Sequence, residues 1–135
     1  MSYKIDEIEG IGPTYRERLQ SAGIVSTEDL LSNCASPAGR KTMAEKTGLS
    51  EKQILGWTNM ADLMRVSGVG RQFAELLEAS GVDTIKELRN RNAENLASKM
   101  QTVNEEKKLA KTAPTATTVE KWIEQAKQTD PKITY

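Results

Sequence analysis

Two short stretches decide how this chain of 135 residues folds: Glu9-Gly10-Ile11-Gly12-Pro13 and Ser67-Gly68-Val69-Gly70-Arg71. Each sits in a longer pattern of apolar-x-x-apolar-x-Gly-apolar-Gly, with a leucine two helical turns further on. The first reads Ile5, Ile8, Gly10, Ile11, Gly12, Leu19, and the second Leu63, Val66, Gly68, Val69, Gly70, Leu77. Such spacing predicts a chain that stops, reverses and restarts a helix within about three residues. Both glycines of each pair are then expected at positive φ, which glycine reaches without steric cost. The apolar residue between them turns inward, and the leucine lies on the inner face of the helix that follows.

Working outward, a shift of 58 residues aligns Ile5–Leu31 with Leu63–Arg89, giving six identities in 27 pairs. The conserved-in-kind pairs include Ile8/Val66, Ile11/Val69, Tyr15/Phe73, Ile24/Val82 and Ser26/Thr84. A weaker match sets Glu51–Ile54 against Glu120–Ile123 at a shift of 69, implying a net insertion of 11 residues within Asn104–Thr117. Self-similarity at a fixed spacing reads as duplication. The expected organisation is a first repeat over residues 1–58 and a second over 59–128, forming one compact unit, with a tail over 129–135.

Helix is predicted throughout, because i, i+3, i+4 apolar spacing recurs and period-2 alternation is missing. Ile54, Trp57, Ala61 and Met64 form one apolar stripe, and Val119, Trp122, Ile123 and Ala126 another, so both tryptophans are expected in the core. Tyr15 and Phe73 are expected to pack, and Tyr3 and Tyr135 to be exposed. Ser50-x-x-Gln53, Thr84-x-x-Glu87 and Thr117-x-x-Glu120 have the capping-box pattern. Gly23, Gly48 and Gly81 stand where a left-handed residue ends a helix. The predicted helices run over Tyr3–Glu9, Pro13–Ala22, Thr27–Asn33, Arg40–Thr47, Glu51–Val66, Arg71–Ser80, Thr84–Arg91, Ala93–Lys107 and Thr118–Gln128.

Composition narrows the function. Nineteen basic residues balance nineteen acidic ones and histidine is missing, so imidazole catalysis and histidine-ligated metals are excluded. The single cysteine, Cys34, excludes an intramolecular disulfide and is read as a small, partly buried residue in a reducing compartment. No apolar run approaches the roughly 18 residues of a membrane span. A cytoplasmic protein without catalysis of its own is expected. Neither half is basic: residues 1–58 carry 7 positive and 8 negative charges, and residues 59–135 carry 12 and 11. Tight binding driven by bulk charge is therefore excluded.

The glycine turns nonetheless have a chemistry. Each presents free backbone N–H groups at a helix start, where unpaired donors and the helix dipole favour phosphate. Pro13 suits the first helical position. Arg71 holds the matching place in the second repeat and could add a charge-assisted contact. Arg65 flanks the second turn; Lys4, Arg16 and Arg18 lie near the first; Lys86, Arg89 and Arg91 could extend a basic face. Glu7, Glu9 and Glu17 crowd the first turn, so the second is expected to be the better phosphate binder. The competing structural reading is that the glycines only permit tight turns.

Ile8-Glu9-Gly10-Ile11-Gly12-Pro13 and Val66-Ser67-Gly68-Val69-Gly70-Arg71 resemble helix-hairpin-helix motifs, here as a doublet. With Asn59–Leu63, Val119–Glu124 and the terminal Thr134-Tyr135, nearly the whole chain resembles a bacterial family of unknown function built on that doublet. The resemblance implies an all-α fold of two tandem helix-hairpin-helix repeats with extra helices, related by a pseudo-two-fold in a SAM-domain-like doublet architecture. It also implies weak, sequence-independent DNA binding through hairpin amides to phosphates. The candidate residues are Gly10, Ile11, Gly12, Arg16, Arg65, Gly68, Val69, Gly70 and Arg71. In this class some members hold a monovalent cation on hairpin carbonyls; no other cofactor is expected. The motif usually has a small residue four places after the second glycine. Ala74 keeps it, but Arg16 departs from it, implying looser packing or an arginine turned toward solvent. Related glycosylases place a lysine just after the hairpin. Here Pro13-Thr14-Tyr15 and Arg71-Gln72-Phe73 stand instead, and the chain is short for a base-flipping pocket. The alternative is a protein–protein adaptor whose hairpins are purely structural.

Overall fold

The computed structural model describes residues 2–135 and is all-helical. A 3-10 turn at Ile5–Glu7 precedes α1 (Pro13–Ser21), α2 (Thr27–Cys34), α3 (Pro37–Thr47) and α4 (Glu51–Leu63). There follow α5 (Arg71–Ala79), α6 (Ile85–Leu88), α7 (Ala93–Lys107) and α8 (Ala116–Lys127). Lys4 and Ser26 form an isolated antiparallel bridge. No helix among the described residues is long and apolar enough to cross a membrane.

Local chemistry sets most helix starts. Ser26, Ser36, Ser50, Thr84, Asn92 and Thr115 each accept a hydrogen bond from the backbone N–H three residues on. Ser50 and Gln53 form the predicted reciprocal box, and Ser26 with Asp29 forms another that the hydroxyl-acid pattern did not flag. At Thr84 the hydroxyl accepts from Glu87 N, and the helix ends at Leu88 rather than running to Arg91. The cap of α8 is Thr115, two residues before the predicted Thr117. Gly23, Gly48 and Gly81 have φ between +74° and +95°, as a helix-ending glycine requires. The predicted first helix reduces to the 3-10 turn, and α4 stops at Leu63, with Gly56 accommodated inside it.

Segments 58 residues apart hold the same backbone bonds. Ile8 N donates to Ile5 O and Val66 N to Leu63 O; Ile11 N donates to Ile8 O and Val69 N to Val66 O. Past α1 and α5, Ile24 N donates to Leu19 O and Val82 N to Leu77 O, each at 2.9 Å. The second half of each segment matches at a shift of 65, not 69. Ser50 and Thr115 are both caps, Ile54 and Val119 are both fully buried, and Trp57 and Trp122 make the same ring contact. The error of four is one helical turn, which leaves the apolar stripe on the same face and so hides in a periodicity argument. The extra length is shared between α7, 15 residues against 11 in α3, and the loop from Lys108 to Thr115.

One apolar core runs through the molecule. Helix α4 packs on α2, α3 and α5, while α8 packs on α6 and α7. Trp57 meets Tyr15 at 5.2 Å between ring centroids, and Trp122 meets Phe73 at 5.1 Å, both tilted by about 55°. Arg40, buried, donates from Nη1 to the carbonyls of Cys34 and Ala35 at the end of α2, and from Nη2 to Thr134 O. Thr134 N returns a bond to Ala35 O at 2.8 Å, so the tail is docked on the first segment.

Two local differences separate the segments. Thr27 N donates to Tyr3 O, but its counterpart Ile85 N donates to the carboxylate of Asp62 at 2.8 Å. Ser80, the counterpart of Ala22, is fully buried and its Oγ lacks a hydrogen-bond partner. Ser80→Ala is expected to raise stability by about 1 kcal/mol, because a buried hydroxyl without a partner retains its desolvation cost. Urea denaturation checks this; a loss of stability would mean the hydroxyl is bonded in solution.

Candidate functional site

The glycines of each turn divide into two kinds. Gly10 and Gly68 both have φ +93°, and a Cβ there would sit 3.5 Å from Trp57 Nε1 or 3.3 Å from Trp122 Nε1. Gly12 and Gly70 have φ −87° and −98° with extended ψ, which corrects the expectation of positive φ at both positions. They are N-caps, in a conformation open to any residue. A Cβ on either would meet nothing within 4 Å. The fold thus requires glycine at the first position of each pair and does not require it at the second.

Ile11 and Val69 are buried between the paired glycines, as the plug reading predicts, and are therefore not contact surface. Helices α1 and α5 are the two whose caps lack a side-chain hydrogen bond. The first bonds of these helices run from Arg16 N to Gly12 O and from Ala74 N to Gly70 O. The N–H groups of Thr14 and Tyr15, and of Arg71, Gln72 and Phe73, lie ahead of those bonds.

The three candidate arginines are all engaged. Arg16 turns outward and pairs with Asp6 at 3.1 Å, while its counterpart Ala74 is buried. Arg65, mostly buried, pairs at 2.9 Å with Asp62, which is 2% exposed; this is a structural bond rather than a surface cation. Arg71 donates from Nε to Glu9 Oε2 at 2.6 Å, joining the second glycine turn to the first across 62 residues. That hydrogen bond, reinforced by the negative field of Glu9, Glu7 and Glu75, raises the pKa of the guanidinium. Glu75 is pushed up by burial and by Glu9, and Glu78 by burial and Asp83. An acidic neighbourhood therefore surrounds Arg71.

The extended basic face does not form. Arg89 donates to Ala126 O and Thr129 O and so caps the end of α8. Arg91 binds Glu87 and Gly81 O. In contrast Arg18 and Lys46 border a shallow recess with Thr14, Glu17, Ser21 and Thr47 beside α1, and neither has an ion pair among the described residues. Sequence reading named Arg18 but not Lys46, which α3 brings from 28 positions away. Gln125 was also missed: its side chain accepts from Ser67 N at 2.9 Å and steadies the second turn. Cys34 is fully buried rather than partly so, and burial pushes its thiol up to about 11, making it unreactive. No group of three or more acidic or thiol side chains among the described residues is placed to hold a metal.

These features define an all-helical domain with two equivalent uncapped helix starts. The family model described as a domain of unknown function (DUF4332) matches residues 9–129, and the chain belongs to that family. No curated protein and no solved structure matches the chain.

Proposed function

We propose that the chain is a tandem helix-hairpin-helix doublet with pseudo-two-fold symmetry, acting as a small non-enzymatic, cytoplasmic module that binds DNA weakly and without sequence preference. The equivalent backbone bonds and φ values at a shift of 58, and the ring pairs that join residues shifted by 58 to residues shifted by 65, support the doublet. One observation carries the DNA reading. Gly12 and Gly70 are glycines that neither backbone angle nor packing calls for, and they head the two helices without side-chain caps. A serine or aspartate there would cap the helix; glycine leaves its N–H groups open to an approaching phosphate. Among the described residues the large exposed hydrophobics are Val25 and Tyr135, which gives the adaptor reading no clustered apolar patch.

Binding is through backbone donors first, with Arg18 and Lys46 beside the first hairpin among the cations that have no ion pair among the described residues. The first hairpin therefore contributes at least as much as the second. If about four phosphates are contacted, the salt slope is about −3.6 and affinity falls roughly a hundredfold between 50 and 200 mM salt. A low-salt shift assay with duplex DNA tests this beside the Gly12→Asp/Gly70→Asp variant. Aspartate at an N-cap stabilises the helix while blocking and repelling phosphate, so the variant is expected to keep its fold and lose binding. Undiminished binding by the folded variant, or no binding by the parent at low salt, overturns the proposal.

A further inference from the structure

We infer that Glu9 is a built-in competitor for the phosphate site at the second glycine turn, holding Arg71 until a polyanion displaces it. This inference rests on the DNA reading above and assigns to Glu9 the setting of its affinity. Arg71 stands at the first position of α5, beside the open N–H groups of the uncapped start. The Glu9 carboxylate, contributed by the other turn, lies 2.6 Å from its Nε, so that donor is not open to a phosphate oxygen while the pair holds. The equivalent positions hold Ser67 in place of Glu9 and Pro13 in place of Arg71, so neither turn needs this pair to form. Both side chains are more than two-fifths exposed, which makes the pair weak and easily exchanged. Glu7 and Glu75 add to the negative field around Arg71, so a single small anion is disfavoured, whereas a duplex that also engages the first turn brings its phosphate at high local concentration.

The test is a titration of duplex DNA at several salt concentrations with the full chain and the variants Glu9→Gln, Arg71→Gln and the double variant. Thermal melts confirm that each is folded. Glu9→Gln is expected to bind about fivefold tighter, the loss of a competitor of surface ion-pair strength. Its salt slope is expected to steepen by about 0.9, the signature of one more phosphate neutralised. The gain should vanish in the Arg71→Gln background. If the parent binds and Glu9→Gln is unchanged, or tightens equally without Arg71, the competitor role is overturned. If none of the four proteins binds at low salt, the DNA reading fails and takes this inference with it.

Discussion

Trp122→Ala is expected to lower stability by about 3–5 kcal/mol, the range for deleting a buried aromatic. The indole is 3% exposed, packs 5.1 Å from Phe73, and lies directly beneath Gly68. Its removal therefore opens a cavity directly under the second turn. Total stability for a domain of this size is on the order of 10 kcal/mol, so a large share of it goes with one side chain. Trp57→Ala should fall at the lower end of the range, since Trp57 is 8% exposed on an open recess. Urea unfolding with an unchanged slope measures both, and amide exchange at Val69, bonded to Val66 O, reports whether the second turn loosens first. A loss below about 1 kcal/mol at Trp122 would show that the turn does not depend on the indole.

Asp62→Ala is expected to cost about 2–4 kcal/mol. One carboxylate serves two otherwise unpaired groups: the Arg65 guanidinium at 2.9 Å and the backbone N–H of Ile85 at 2.8 Å. Removing it leaves a mostly buried charge and a buried amide without acceptors, and each such group keeps its desolvation cost. Asp62→Asn should be milder, because an amide oxygen still accepts from Ile85 N while the charge pairing is lost. The two variants compared by chemical denaturation separate these contributions. Equal losses would place the whole effect on Arg65, and a loss below about 0.5 kcal/mol in alanine would refute the account.

Much of the fold was legible because its signals act over three or four residues. Apolar spacing located the stripes of Trp57 and Trp122. Glycines 23, 48 and 81 marked helix ends, and Ser50-x-x-Gln53 marked a start. The same locality explains the failures. A shift by one turn preserves a helical stripe, so Ile54 was matched to Ile123 instead of Val119. Two glycines flanking a turn look alike in sequence, yet Gly10 and Gly68 lie at φ +93° while Gly12 and Gly70 lie in extended backbone. The candidate site was legible only as positions. Arg65, Arg71 and Arg16 stand near the turns as expected, but charge counting along the chain could not say which carboxylate each would meet.

By itself, then, the sequence determined an all-helical chain, the residues that enter its core, and the places where it turns. Hydrophobic periodicity and capping are local, and local chemistry is written in adjacent residues. Tertiary structure alone decided which charges are spent inside the fold and which remain open. Helix crossings set by core packing put Glu9 against Arg71, Asp62 against Ile85, and Lys46 beside Arg18. Those distances depend on how whole helices pack, and side-chain electrostatics falls off over the few ångströms that such packing controls.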